Sequence, residues 1–297
     1  MPPVHRPGVG HPRRVDPISR LDLPLLDVAR DVQDRRVLVV RLDDPGRRNA
    51  MGPEMTSSWC RLVQELRGLV ERADVDGARH EVRVVVLTGT GAAFSSGGDL
   101  SWLAEGAGPG ASVEALRTRM VRYYDDWLSL RAVGLPVVAA VVGAAVGAGL
   151  GLALACDVRL LGSSARLSAP FTGLGLHPGL GITHTLVAAV GLAAARELLL
   201  TGRVVEAEEA VRVGLATSVQ PDGQVLEAAL VTARTVAARA PVATRLLLRG
   251  LADGGPRDLS EALRRESLAQ AVTLATEDLA EGLSAAREHR APRFTGR

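Results

Sequence analysis

Two glycine-rich turns, each between a predicted strand and a predicted helix, carry the most informative residue pattern in the sequence. The first is Phe-Ser-Ser-Gly-Gly-Asp-Leu at 94–100, and the second spans 143–151, with glycine at 143, 147, 149 and 151. Unpaired backbone amides at the start of a helix attract negative charge. Two such amides aimed at one point would form an oxyanion hole, and glycine lets a ligand approach the backbone closely. The alternative interpretation is that these glycines only permit tight packing of helix on sheet.

Composition excludes several other kinds of chemistry. All 35 basic residues are arginine, so neither a Schiff-base lysine nor a P-loop lysine exists in this chain. The net charge of +2 gives no polycationic surface for nucleic acid. Cys60, Cys156 and the six scattered histidines lack metal-ligand spacing, and we expect no metal site. The two distant cysteines fit a reducing compartment, and we expect a cytoplasmic protein.

Strands that alternate with helices predict an α/β fold. The apolar patterns predict strands at 36–42, 82–88, 137–142, 157–161 and 216–219, and helices at 53–71, 112–130, 150–155, 188–200 and 206–213. After Gly223 the pattern is helical, over 224–240, 241–251 and 259–289. We predict a disordered tail over 1–20, a core over 21–222 and a helical region over 223–297.

The uncharged segment 132–156 is long enough to cross a bilayer. However, Pro136 is followed by a β-branched run of strand length and then by glycines. This order favours a buried strand, a glycine turn and a buried helix. The N-terminal residues also lack the apolar stretch of a secretory signal. We therefore predict no membrane span.

Together with their flanking motifs, the two turns resemble the crotonase (enoyl-CoA hydratase/isomerase) superfamily. The similarity spans about residues 30 to 297. In the first half of the chain, the motifs that carry it are Arg-Asn-Ala-Met at 48–51, Val-Leu-Thr-Gly at 86–89, the 94–100 turn and the run 136–141 with its glycine turn. Further along the chain, they are Ala-Cys-Asp at 155–157, Leu-Gly-Leu-His-Pro-Gly at 174–179 and the ending at 290–296. The resemblance implies a crotonase-type spiral of ββα units with a C-terminal helical trimerisation region. It also implies an acyl-CoA ligand, a homotrimer or dimer of trimers, and no cofactor.

By position, the resemblance assigns the two oxyanion donors to the N–H groups of Gly98 and Ala148. The family usually has glycine at the second position, and the methyl group of Ala148 narrows the approach without removing the amide. The other residues expected to contact the substrate or its CoA moiety are Arg48, Ala50, Ser96, Gly97, Asp99, Leu100, Gly147, Gly151, Pro170 and Phe171. An arginine at position 48 suits bidentate contact with phosphate, although an exposed turn explains it equally well.

The proton-transfer residues depart from the family pattern. Hydratases of this family use two glutamates, and the matching positions here are Gly151 and Phe171, neither of which can move a proton. Between residues 136 and 196 the only carboxylate is Asp157, which we expect to be a structural cap. Loss of general acid–base catalysis costs about 10²–10⁴-fold per group, whereas an oxyanion-hole donor is worth about 10²–10³-fold. His177 is the nearest titratable candidate, with a role in loop structure as the alternative. On the helix after the first turn, several residues could line the acyl pocket, although a solvated helical face is the favoured interpretation: Tyr123, Tyr124, Asp125 and Asp126.

These inferences predict an enoyl-CoA hydratase/isomerase-like lyase of fatty acid metabolism with an atypical active site. The backbone oxyanion hole would stabilise a thioester enolate. Two alternatives stay open. One is an isomerase, decarboxylase or carbon–carbon lyase of the same superfamily, and the other is a non-catalytic acyl-CoA carrier or sensor. Fold resemblance alone does not choose between them.

Overall fold

The computed structural model describes residues 16–76, 81–252 and 255–297. Of the tail predicted over 1–20, residues 1–15 lie outside the described residues. Ile18–Arg20 forms a 3-10 turn, and the Asp16 carboxylate lies 2.7 Å from Nε of Arg30. The chain is therefore tied to the first strand from Asp16 onward.

The described residues form ten strands and ten helices. The strands are β1 Leu26–Arg30, β2 Val37–Leu42, β3 Val84–Gly89, β4 Ala93–Ser95, β5 Val137–Val141, β6 Ala144–Val146, β7 Val158–Gly162, β8 Arg166–Ser168, β9 Val205–Glu206 and β10 Ser218–Gln220. The helices are α1 Pro53–Asp76, α2 Leu100–Ala104, α3 Val113–Val133, α4 Ala148–Ala155, α5 Ile182–Thr201, α6 Ala207–Arg212, α7 Val225–Ala237, α8 Pro241–Leu251, α9 Leu259–Leu274 and α10 Glu277–Arg287.

Two sheets organise these elements into a spiral. The larger sheet has the order β1-β2-β3-β5-β7-β10, and all its pairs are parallel except β1 with β2. The smaller sheet has the order β4-β6-β8-β9. Each of β3, β5 and β7 is followed at once by a short strand of the smaller sheet and then by a helix. The repeat is thus strand, strand, helix, and the predicted α/β spiral of ββα units is confirmed.

Apolar side chains on both faces of the larger sheet explain its β-branched sequence. One face packs on α7, where Val225, Ala229 and Ala233 are buried against strand residues such as Val39 and Val86. On the other side of the sheet, α1 and α3 bury tryptophans whose rings stack with centroids 5.1 Å apart. Helices therefore cover both faces of the larger sheet. The glycine turns emerge at the edge that the carboxyl ends of the strands form.

Several predicted boundaries need correction. The single helix predicted over 259–289 is two helices, because Thr276 accepts a hydrogen bond from the Leu279 amide and caps α10. The helix predicted from 188 begins at Ile182. Strands β4 and β6 lie within segments predicted as turns, since three residues are too few to show a strand period. Strand β1 was also missed by the sequence analysis.

The segment examined as a possible membrane span folds into β5, β6 and α4. Nearly every residue of β5 and α4 is buried inside the protein. Among the described residues, one helix, α5, is long and apolar enough to cross a membrane by length and composition. Gly191 interrupts that helix with a non-helical backbone at φ 77°. Core helices of water-soluble proteins can have the same length and apolar composition, so this helix alone is weak evidence for a membrane span.

The C-terminal helices expose an unusual amount of apolar surface. No described residue of α9 is buried, although the helix has leucine at 259, 263, 268 and 274. The exposed fractions of Leu263 and Leu268 are 56% and 70%. An apolar helix face without cover in its own chain is typical of a subunit interface. The expected trimerisation region stays a prediction that this face supports.

Substitution of Leu259 and Leu263 by arginine tests that prediction, because the two leucines lie one helical turn apart and are 74% and 56% exposed. Two charges on this face of α9 should oppose burial against a second subunit, and light scattering should report a smaller particle than for the unsubstituted chain. The matched control is Leu200→Arg on α5, where the leucine is 74% exposed and lies outside the helical region over 223–297. Equal masses for the double variant and the unsubstituted chain would contradict an interface at α9.

Candidate functional site

Parallel pairing of β4 with β6 brings the two glycine turns together. Ser95 lies opposite Ala145 in the register, so both strands end side by side. A Cβ atom placed on Gly97 would lie 3.1 Å from the Ala148 nitrogen and 2.5 Å from the Val146 oxygen. Gly97 also has a φ of +95°, which side-chain-bearing residues rarely adopt. Glycine at position 97 is therefore what allows the backbones of the two turns to touch.

Hydrogen bonding leaves two neighbouring amides in these turns available. The Gly97 amide donates to Oγ of Ser95 at 3.1 Å, and that buried hydroxyl donates to the Asn49 carbonyl at 2.8 Å. Among the residues that the structure describes, neither the Gly98 amide nor the Ala148 amide donates to a protein acceptor. Ala148 is the first residue of α4, where the helix dipole adds positive potential. Both amides can donate to a bound oxygen atom.

The segment 48–51 holds the first turn in place. The Ser96 amide donates to the Arg48 carbonyl at 2.9 Å, and the Met51 amide donates to the Gly97 carbonyl at 2.7 Å. The side chain of Asn49 is fully buried and donates to the carbonyls of Thr90 and Ala93. The Arg-Asn-Ala-Met motif thus joins the turn through these hydrogen bonds and one isolated β-bridge between Met51 and Gly98, with Arg48 exposed and Ala50 half-buried.

Asp99 has a structural task within the first turn. Its carboxylate accepts hydrogen bonds from the amides of Ser101 and Trp102 at 2.9 and 3.1 Å and so caps α2. A second carboxylate oxygen lies 3.4 Å from Nη1 of Arg47. Leu100, predicted to contact substrate, is 62% exposed at the start of the same helix. The Asp99 carboxylate is therefore engaged within the protein.

Apolar side chains are found at or around both positions at which the resemblance would place glutamate. A Cβ on Gly151 would lie 3.1 Å from the Leu180 side chain and 3.2 Å from that of Ile182, and both residues are buried. The Phe171 ring lies 3.7 Å from the corresponding Cβ position on Gly147, so it covers the second turn. Position 151 therefore has no room for a carboxylate without repacking, and position 171 holds an aromatic ring.

The remaining proton-transfer candidates lie apart from the two amides. His177 is exposed, and its Nδ1 donates to the Pro178 carbonyl at 2.7 Å, which leaves Nε2 as the free ring nitrogen. Asp157 accepts a hydrogen bond from the Val137 amide at 2.7 Å. That contact is at the amino end of β5, the opposite end of the strand from the glycine turn. Asp157 is thus the structural residue that the sequence predicted.

The structure brings six of the thirteen predicted site residues to the place where the two turns touch. They are Ser96, Gly97, Gly98, Gly147, Ala148 and Phe171. Gly151 lies one helical turn behind, and Pro170 packs against Gly202. Tyr124, one of the four residues of α3 that the sequence offered as possible lining of the acyl pocket, is half-buried, and its hydroxyl contacts the Gly179 backbone.

Comparison with known proteins agrees with this architecture. Residues 33–297 match the family model described as enoyl-CoA hydratase/isomerase. A Mycobacterium tuberculosis protein named as a probable enoyl-CoA hydratase is 41% identical over 261 residues, which cover 86% of this chain and 96% of that protein. The chain therefore belongs to the enoyl-CoA hydratase/isomerase family.

Other relatives and solved structures extend the comparison. The 2,3-dehydroadipyl-CoA hydratase of Escherichia coli is 35% identical, over 89% of this chain and 97% of its own length. An enoyl-CoA hydratase structure from Geobacillus kaustophilus has a TM-score of 0.77 and 32% identity, covering 92% of this chain and 98% of that one. A Thermobifida fusca structure with bound CoA has a TM-score of 0.73 and 34% identity, covering 84% and 93%.

The packing at Gly151 can be tested with Gly151→Glu. A carboxylate introduced against Leu180 and Ile182 would be overpacked and unpaired, so the free energy of unfolding should fall by about 3 kcal/mol. Denaturant unfolding measures the change. Gly173→Glu is the control, because nothing lies within 4 Å of a Cβ at Gly173 and the new side chain would reach solvent. Equal stabilities for the two variants would show that position 151 has room for the acid.

Proposed function

We propose that the paired turns bind the thioester carbonyl of an acyl-CoA and stabilise the enolate derived from it. The amides of Gly98 and Ala148 would donate to the thioester oxygen as it gains negative charge. The observation that carries this proposal is the contact between Gly97 and the Ala148 nitrogen, with both amides unengaged among the described residues. Two fixed donors cost no reorganisation when charge develops.

The family comparison supports the choice of ligand. The Escherichia coli relative is named for a CoA thioester, and the Thermobifida fusca structure contains CoA. Arg48 is exposed at the edge of the first turn, where a guanidinium could contact a CoA phosphate. Self-association and a cytoplasmic location stay predictions beside this proposal.

We infer the reaction from the absence of proton-transferring side chains at positions 151 and 171. Hydration of an enoyl-CoA adds a hydroxyl and a proton across the double bond, and the family's two carboxylates perform those transfers. Here apolar side chains fill both positions, so we expect slow hydration. An enolate can also form when a carbon–carbon bond breaks, as when an ionised carboxylate on the α carbon leaves as carbon dioxide and the electrons of the broken bond pass to the thioester. That route needs no protein base, and the filled position at Gly151 favours it as a second candidate.

Calorimetry with a panel of acyl-CoAs tests ligand binding. We expect binding by the unsubstituted chain and loss of binding in Gly97→Ala, because a Cβ there would collide with the Val146 carbonyl and displace the two turns. Gly106→Ala is the matched control, since Gly106 also has a positive φ but nothing within 4 Å of its Cβ position. No binding of any acyl-CoA at millimolar concentration would refute the proposal.

The rate of crotonyl-CoA hydration tests the missing acids. We expect kcat to be lower than in glutamate-containing hydratases by at least about 10²-fold, the usual loss for one acid–base group. A steady-state assay with and without His177→Ala provides the measurement. A kcat in the ordinary range of the family that is abolished in His177→Ala would contradict the account and identify His177 as a replacement base. Binding without any turnover of a thioester panel would favour the carrier or sensor.

A further inference from the structure

Helix α3 carries the only two tyrosines of the chain, and they are engaged differently. Tyr123 is buried, and its hydroxyl donates to the Met51 carbonyl at 3.1 Å. Tyr124 is half-buried, and no described residue shares a hydrogen bond with its hydroxyl. The ring of Tyr124 is one of the partly buried groups that pack against the core, and it meets the Tyr123 ring edge-on with centroids 6.1 Å apart. Its hydroxyl is therefore the phenol that remains free to act on a ligand.

The position of that hydroxyl relates it to the missing acid. It contacts the backbone at Gly179 so closely that a Cβ there would collide with it. The next residue, Leu180, is the side chain that covers Gly151. Gly151 in turn lies three residues after Ala148 on α4, a rise of about 4.5 Å. Tyr124 thus reaches the loop segment that fills the family's acid position, from the side opposite α4.

The surroundings of Tyr124 fix its protonation state. Burial raises the pKa of Tyr124 above its ordinary value, so the phenol stays protonated at neutral pH. A protonated phenol can donate to a carbanion but is a poor base. The group therefore suits a reaction in which the enolate forms first, by bond cleavage, and is then protonated.

We propose that Tyr124 donates the proton that quenches the thioester enolate at its α carbon. The enolate electron pair forms the new Cα–H bond while the phenol O–H bond breaks, and water reprotonates the resulting phenolate. The inference rests on the proposed function, because the enolate must be held by the two amides. It also names the substrate class, which is acyl-CoA thioesters with a carboxylate on the α carbon.

The reverse step provides a test that needs no knowledge of the natural substrate. In D2O, the phenolate of Tyr124 would remove an α hydrogen of butyryl-CoA and return deuterium, which mass spectrometry detects. The exchange rate should rise with pH through the alkaline range, because the phenolate is the base in this direction. Tyr124→Phe keeps the ring packing and should lower the exchange by at least about 10²-fold. Calorimetry with butyryl-CoA should show that this variant still binds.

Thr232→Val on α7 is the control, because it removes a hydroxyl that donates to the Ala228 carbonyl on a helix that packs on the other face of the larger sheet. It should exchange like the unsubstituted chain while losing some thermal stability. Butyryl-CoA binding with no exchange, or exchange unchanged in Tyr124→Phe, would overturn the role of Tyr124 and leave the thioester site intact. A rate that levels off near neutral pH and is lost in His177→Ala would also overturn it. Failure of the unsubstituted chain to bind would overturn the thioester site itself.

Discussion

The contact between two backbone turns is the constraint on which the rest of this structure depends. The β4–β6 pairing places Gly97 so close to the Ala148 nitrogen that no side chain could intervene. The buried Ser95 hydroxyl accepts a hydrogen bond from the Gly97 amide, whereas the Gly98 amide donates to no acceptor among the described residues. Two adjacent donors with no protein acceptor are costly unless a ligand or solvent satisfies them. The oxyanion hole that we propose would thus consist of backbone atoms, whose positions depend on the fold more than on particular side chains.

A site built from backbone atoms would let the chain keep the family's fold without the two glutamates that the resemblance places at positions 151 and 171. Stabilisation of a carbonyl oxygen requires only the two turns and the strands that align them. Proton transfer requires side chains at particular positions, and those positions here hold a glycine and a phenylalanine. The side chains of Leu180 and Ile182 pack closely against Gly151. A glutamate at position 151 would therefore need different packing around the site as well as a different residue. The chemistry available is then enolate stabilisation, with protonation left to a different group.

The sequence predicted the parts of this site that depend on local chain geometry. Glycine spacing after apolar runs located both turns, because tight turns and close approach require that residue type. The Asp99 carboxylate caps α2, and its predicted contact with substrate stays a prediction. The sequence left Tyr124 open between pocket lining and a solvated helical face, because its contact with Gly179 joins segments that are distant in sequence. The sequence did not predict strands β4 and β6, because three residues are too few to show a strand period. The pairing of these two strands nevertheless aligns the two glycine turns.

A structure with a bound acyl-CoA would test the central claim most directly, through the distances from the thioester oxygen to the nitrogens of Gly98 and Ala148. The account predicts that both distances fall at about 2.7–3.1 Å, the range for oxyanion donors. A thioester oxygen beyond hydrogen-bond distance of either nitrogen, in a complex with the acyl group ordered, would contradict it.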